Sequence, residues 1–407
     1  LHTPTYDLSQ RAQLIQSDLV QWRRHIHRYP ELSFQERQTS LYIKQVLESI
    51  GSLDIETDIA GTGIIATLRA GEGPVIGLRA DMDALPIQEE NETDYRSQHP
   101  GVMHACGHDA HVAILLGAAK LLTEDARAGA FTGTIKFIFQ PAEEAGDKEG
   151  KTGAVHMLES GRLDDVETAI ALHMCPWQRT GDMQIHDGPS MANVDNFSLV
   201  IKGSGGHGGY PHMGTDPIWI SSYVLQGLYS LMNRKVDPME VGVLSVGEIH
   251  GGLTSNVIPD SVTISGTMRS YTPEVRAQIT QELQTMAGMI TSLGGTYELD
   301  IEHGEPALFN HPKVNTVIRN AASSLYPDSR FIEEAFGMGG EDFGHMTTRM
   351  TGAMFFLGCN NSSSDMKRLH TSTFDIDENV LPMGTAILAD CATRLLPSKV
   401  KLGGEME

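Results

Sequence analysis

The stretch NFSLVIKGSG (196–205) alternates apolar and polar side chains and ends in glycines, so it reads as a half-buried β-strand leading into a turn. The next hundred residues decide the fold. DPIWISSYVLQGLYSLM (216–232) reads as a helix, EVGVLSVGEIHG (240–251) and NVIPDSVTISGTMRS (256–270) as strands, TPEVRAQITQELQTMAGMI (272–290) as a second helix and GTYELDIEH (295–303) as a last strand. The order β-α-β-β-α-β is that of the split βαβ unit, a four-stranded sheet with two helices on one face. A ferredoxin-like α+β domain is therefore expected over 187–303, inserted into an outer domain made of 1–186 and 304–407.

Both flanks carry a different pattern. TGIIATLRA (62–70), PVIGLRA (74–80), TIKFIFQ (134–140) and VETAIALH (166–173) are short, apolar or β-branched, whereas HVAILLGAAKLL (111–122) and residues 151–160 read as helices. Such alternation predicts an α/β layer with a mainly parallel sheet. In the opening segment, Leu14, Ile15, Leu19, Val20 and Trp22 have helical spacing until Pro30 stops the pattern. The outer domain resumes near Pro306, with MTGAMFFLG (350–358) as strand and VLPMGTAILADCATRLL (380–396) as helix. A chain of 407 residues exceeds the usual single core, which agrees with two domains.

Charge narrows the partners. With 30 Lys and Arg against 52 Asp and Glu the chain carries −22, a balance that repels nucleic-acid phosphates and anionic membrane surfaces. No nucleic acid or membrane partner is expected. No apolar run approaches the roughly 20 residues of a spanning helix, and LHTPTYDLSQRAQ (1–13) lacks the basic-then-apolar order of a signal peptide, so a cytoplasmic setting is expected. Cys106, Cys175, Cys359 and Cys391 are too few and too scattered for a disulfide framework and read as reduced thiols.

Polar groups gather where the predicted strands end. Asp81 and Asp83 follow VIGLRA, Glu143 and Glu144 follow TIKFIFQPA, and His173 closes TAIALH. In open α/β sheets ligands bind along that edge. The loop MHACGHDAH (103–111) leads into a helix and can reach the same edge. Residues two apart point to opposite sides of a helix, so Cys106 and His108 meet one metal only from a turn, which Gly107 permits. A Cys-x-His pair alone can equally be a small buried hydrophobe beside a polar loop. In extended chain Glu143 and Glu144 project to opposite faces, so one can hold a metal while the other faces substrate; a solvated acidic loop is the competing reading. With His370 in LHTSTFD (369–375), the set is one thiol, three imidazoles and a carboxylate. That is one donor more than a closed structural zinc takes, and it fits two metals sharing a ligand.

The ordered motifs RADMDALPI (79–87), MHACGHDAH, QPAEEAG (140–146), ALHMCP (171–176), GGHGGYPHMGTDPI (205–218), GMGGEDF (337–343) and LHTSTFD closely resemble the di-metal aminoacylase and carboxypeptidase superfamily. The similarity is to its amidohydrolase branch, with hippurate hydrolases, bacterial N-acyl-amino-acid deacylases and plant auxin-conjugate hydrolases. The resemblance implies a catalytic α/β domain interrupted by a lid that pairs two subunits, with a homodimer or higher oligomer expected. It implies that Cys106, His108, Glu144, His173 and His370 hold two divalent ions, with Glu143 as general base. The expected substrates are N-acyl amino acids, cleaved at the amide by a metal-activated water. Zn suits the thiolate, while Mn, Co or Ni suit carboxylate and imidazole.

Further roles are expected around this set. Asp83 is read as orienting a ligand histidine, with a turn or cap role as the competing view. The resemblance implies that His207 reaches the active site of the other subunit and donates to the tetrahedral oxyanion, against a plain turn histidine. Asn256 and Arg269 are candidates for gripping a substrate carboxylate, and the backbone at Gly339 and Gly340 for approaching a ligand. Glu341 and Asp342 either close the site or cap a turn. His104, Asp109 and His111 are expected to support the ligands or start the helix, and His25 and His27 to serve structure at a helix end. A dipeptidase or carboxypeptidase is the alternative enzyme; a silent binding module or a metal store has no need of a base beside the metals.

Overall fold

Val75–Asp81, Thr134–Gln140, Thr168–Arg179 and Thr351–Asn360 form the centre of an eight-stranded sheet in the computed structural model, which describes residues 7–360 and 368–398. The sheet runs 54–59, 63–69, 134–140, 75–81, 168–179, 351–360, 183–184, 331–332. Its three central pairings are parallel, and antiparallel ones flank them. Buried on both faces, the strands are near-continuous apolar runs, as parallel sheets require.

Helix His108–Arg127 is buried at fifteen of its twenty positions. Helices Gln16–Arg28 and Val380–Leu395 press against it at glycines. A Cβ on Gly117 would lie 2.5 Å from Leu19 Cδ2 and 2.8 Å from Thr385 Oγ1, and one on Gly384 would lie 2.7 Å from Ile114 Cδ1. Close packing on this scale leaves the helix little freedom to shift.

The chain divides into two compact units. One holds the described residues up to Gly188, Phe309–Ala335 and those from His345 onward; the other holds Pro189–Leu308 with Phe336–Gly344. The second unit carries the four-stranded sheet, in the order 242–250, 261–270, 195–202, 296–303, all antiparallel. Its helices, Pro217–Lys235 and Pro273–Ser292, bury Ile220, Val224, Leu228 and Leu231, and Ile279, Leu283, Ala287 and Ile290. These side chains share a core with Leu199, Ile201 and Ile264 of the sheet. Asp216 and Thr272 cap the two helices by accepting main-chain N–H bonds.

Two details differ from the sequence reading. NVIPDSVTISGTMRS is not one strand: Val257–Ile258 pairs with Gly206–His207, and only Ser261–Ser270 joins the main sheet. Pro259 stands at the break and has no N–H to give a ladder. Residues 336–344, placed by the sequence in the outer domain, belong to the second unit. Phe336 N–H donates to Ser190 O (2.8 Å), Ala192 N–H to Gly339 O (3.1 Å) and Tyr271 Oη to Gly337 O (3.1 Å). Among the described residues no helix is long and apolar enough to cross a membrane.

Candidate metal centre

The parallel register sets the site's height. Asp81 pairs with Gln140 and Arg79 with Ala171, so His173, two residues on, is level with Asp81. The loop after Thr134–Gln140 brings Glu143 and Glu144 to the same end. Gly107, at φ 94°, forms the turn before His108–Arg127. A Cβ there would sit 2.9 Å from the Met174 side chain, so both the turn and the space demand glycine. Donor atoms of Cys106, His108 and His173 lie within 4.8 Å of one another, and so do those of Cys106, Glu144 and His370. The thiol belongs to both groups. Its Sγ is 3.4 Å from His173 Nε2 and 3.3 Å from His370 Nε2.

His108 and His173 turn Nε2 inward because Nδ1 is committed. His108 Nδ1 is 2.9 Å from Asp83 O and His173 Nδ1 2.8 Å from Met174 O. A carbonyl only accepts, so both Nδ1 atoms carry a proton, and in the neutral ring the lone pair is left on Nε2. Buried His108 Nε2 and Glu144 Oε1 have no hydrogen-bond partner. His370 reaches the group from a turn at φ 58°, its Nε2 3.3 Å from Glu144 Oε1. Asp81, His108 and His111 also crowd within 4.8 Å. Yet His111 is spent, with Nδ1 2.6 Å from Asp81 Oδ1 and Nε2 accepting from Met174 N–H at 2.9 Å.

By protein charges alone the cluster is starved of cations. Burial opposes a charged imidazole at His108, but the carboxylates of Asp81, Asp83 and Glu144 outweigh it and carry its pKa up to about 10. Burial, with the charges of Glu144 and Glu143, holds the Cys106 thiol well above its usual range. A divalent cation reverses both effects, favouring thiolate and neutral imidazole. Inward-facing imidazole nitrogens, a buried carboxylate oxygen with no hydrogen bond and excess negative charge suit the residues to hold metal.

Asp83 binds the surroundings together. Its Oδ1 accepts from Glu143 N–H (3.1 Å), its Oδ2 from Glu144 N–H (3.0 Å) and Ser33 Oγ (2.7 Å), and its main-chain oxygen holds His108. Glu36, which the sequence did not single out, takes the N–H of Ala142 at 2.9 Å and the hydroxyl of Thr62 at 2.7 Å. Burial, reinforced by Asp83, pushes its carboxyl up to about 7. Ala142 itself lies at φ 49°, so the two acids fix the strained entry to the Glu143–Glu144 turn.

The remaining candidates lie in the second unit. His207 pairs with Val257, and Gly208 N–H donates to Asn256 O at 2.8 Å, which makes His207 and Asn256 neighbours. His207 Nδ1 accepts from Gly209 N–H at 2.9 Å, leaving the proton on Nε2. Arg269 Nε donates to Thr267 Oγ1 (3.1 Å), and a Cβ on Gly340 would stand 3.8 Å from Arg269 Nη1. Gly339 gives its carbonyl to Ala192. Glu341 Oε1 accepts from Phe343 N–H at 3.0 Å, as a turn cap does.

A buried polar network escaped the sequence reading. Arg23, His27, Glu89 and Asp109 are enclosed together, with His27 Nδ1 2.8 Å from Asp109 Oδ2 and its Nε2 3.2 Å from Glu89 Oε1. His27 is thus more than a helix end, whereas His25 stacks on Tyr42 at 3.7 Å. His104 is buried with neither ring nitrogen bonded, and burial drives its pKa down to about 3.

Known proteins share this organisation along nearly the whole chain. N-acetyl-L-cysteine deacetylase of Bacillus subtilis is 38% identical over 387 residues, 94% of this chain and 89% of that protein. Thermostable carboxypeptidase 1 of Saccharolobus solfataricus is 36% identical, covering 91% and 93%. The crystal structure of a dinuclear metal binding peptidase of family M20 from Bacillus subtilis superposes with a TM-score of 0.81 at 32% identity, over 94% of this chain and 99% of that one. Residues 77–394 match the model of peptidase family M20/M25/M40. With most of its length inside that match and its strand-end motifs folded around one thiol, the chain belongs to peptidase family M20/M25/M40, the hydrolases of amide bonds.

Proposed function

We propose that the protein is a metal-dependent amidohydrolase that cleaves N-acyl amino acids into a carboxylic acid and an amino acid. The observation that carries this reading is the Cys106 thiol shared by two groups of inward-facing donors, with Glu143 beside them. Cys106, His108, Glu144, His173 and His370 would hold two divalent ions, in keeping with the dinuclear metal binding of the Bacillus subtilis peptidase. Bound there, the pair would polarise the scissile carbonyl and make a water acidic enough to give up a proton near neutral pH. Glu143 takes that proton as the water oxygen adds to the carbonyl carbon, and returns it to the nitrogen as the C–N bond breaks. His207, protonated at Nε2, is assigned as a donor to the tetrahedral oxyanion. Arg269, Asn256 and the backbone at Gly339 and Gly340 are assigned to the substrate carboxylate.

A thiolate among imidazoles and carboxylates favours Zn, with Mn, Co and Ni as competitors. Four free, buried cysteines support a reducing, cytoplasmic setting. A homodimer through the second unit is supported by the sheet edge at Gly242–His250 and by Ile218, Trp219, Tyr223 and Tyr229, exposed on helix Pro217–Lys235.

The test is hydrolysis of N-acetyl, N-benzoyl and indole-acetyl amino acids beside dipeptides and longer peptides, with metal content measured on the same sample. Chelation is expected to abolish cleavage of the acyl substrates, and Zn, Mn, Co or Ni to restore it. Cleavage confined to peptides with a free amino group selects the dipeptidase or carboxypeptidase reading instead, which the Saccharolobus relative's name favours. Asp83→Ala removes the acceptor for two main-chain N–H groups and is expected to weaken metal binding about 10–100-fold by competition with a chromophoric chelator. Asp83→Asn, which keeps one oxygen, is expected to lose less; equal, wild-type affinity in both removes Asp83 from the site's support.

A further inference from the structure

Arg23 is wholly buried and donates to three carboxylates: Nε to Asp109 Oδ2 at 2.7 Å, Nη2 to Asp375 Oδ1 at 2.9 Å and Nη1 to Glu378 Oε1 at 3.2 Å. The Tyr95 ring lies 4.9 Å from its guanidinium carbon, and Tyr95 Oη donates to Asp375 Oδ2 at 2.8 Å. Two of these acids sit beside candidate ligands that are far apart in sequence. Asp109 follows His108, and Asp375 closes the turn that starts at His370. The guanidinium is planar with its donors in a fixed fork, so it sets the spacing between the groups it grips. A main-chain bond, His370 N–H to Ala105 O at 2.8 Å, joins the same two segments.

We propose that Arg23 is a positioning residue that fixes the His370 turn against the Cys106–His108 loop, so that the Cys106–Glu144–His370 group is set before an ion enters it. The proposal rests on the metal reading above. Its selectivity comes from how the other ligands are held. His108 is anchored on Asp83 O and His173 on Met174 O, neither of which depends on Arg23. Asp109 keeps His27 when Arg23 is removed. The His370 turn, in contrast, loses the one guanidinium that ties Asp375 to Asp109: Glu378 keeps Arg24 Nη2 at 2.7 Å, whereas Asp375 is left with the Tyr95 hydroxyl and no cation. Loss of Arg23 therefore loosens one group of donors and spares the one made by Cys106, His108 and His173.

Full-length wild type, Arg23→Met, Arg23→Lys and Asp375→Asn would be stripped and titrated with Co(II). Bound metal, the cobalt ligand-field bands, the thiolate-to-cobalt charge-transfer band and the melting temperature of the metal-free proteins would be followed. Wild type is expected to take up two ions. Arg23→Met is expected to keep one ion and to bind the second about tenfold or more weakly, with altered cobalt bands, and Arg23→Lys to recover part of that loss. Asp375→Asn keeps the guanidinium and its bond to Asp109, and it decides the matter if Arg23→Met does not fold. Both ions bound with wild-type affinity and spectra in Asp375→Asn and Arg23→Lys overturn the proposal, however far the melting temperatures fall. A wild-type chain that takes up no cobalt overturns the metal reading itself and this proposal with it.

Discussion

Glu143→Gln is expected to load metal as wild type does and to turn over N-acyl amino acids about 10²–10⁴-fold more slowly. The substitution is nearly isosteric, and the bond that holds this residue on Asp83 comes from its main-chain N–H, so the turn survives. Neither group built on Cys106 includes Glu143. What is removed is an acceptor able to take a proton and pass it on, since an amide oxygen is far too weak a base. Metal content by elemental analysis and kcat on one substrate check the expectation together. A variant that is fully loaded and as fast as wild type would transfer the base role to another residue.

Cys106→Ala is the second large effect. Because the one Sγ stands within 3.4 Å of His173 Nε2 and 3.3 Å of His370 Nε2, its loss strikes both donor groups, whereas His173→Ala strikes one. The expected result is a chain that folds yet binds neither ion tightly and has no measurable turnover. A ligand at a hundred times its Kd stabilises a protein by about 2.7 kcal/mol, so added Zn should raise the melting temperature of wild type and leave that of Cys106→Ala unmoved. A variant still stabilised by Zn would show that the thiol is not the shared ligand.

The legible part of the molecule is the part written in local pattern. Alternation over 196–205 and helical spacing over 216–232 and 272–290 disclosed the inserted sheet, because each element buries one face against the others. That Cys106, His108, Glu144 and His173 could meet followed from motifs at or near strand ends, where parallel strands deliver their loops to one edge, whereas His370 was tied to them by the family resemblance. Arg23 was harder to see, though a trace of it exists. It falls between Leu19 and Ile26 at spacings of four and three, on the stripe that should be apolar, and a cation there must find buried carboxylates. Their identity was out of reach, since Asp109 and Asp375 are 86 and 352 residues away along the chain. Glu36 left no such trace, as the Ala142 N–H and the Thr62 hydroxyl that it accepts from belong to distant turns. Pro259 was visible, but two short strands around a proline look like one until the sheet they join is known.

The link between Ala105 and His370 also orders events in time. A ribosome adding about 5–20 residues per second needs roughly 13–50 s to make the 264 residues between Cys106 and His370. Until then the nascent thiol has no second imidazole facing it, and the C-terminal helix that wedges against Ile114 and Gly117 has not been made. On the proposed metal reading the second donor group is thereby completed only after residue 370 has been made, and a chain truncated before it would lack the Cys106–Glu144–His370 group.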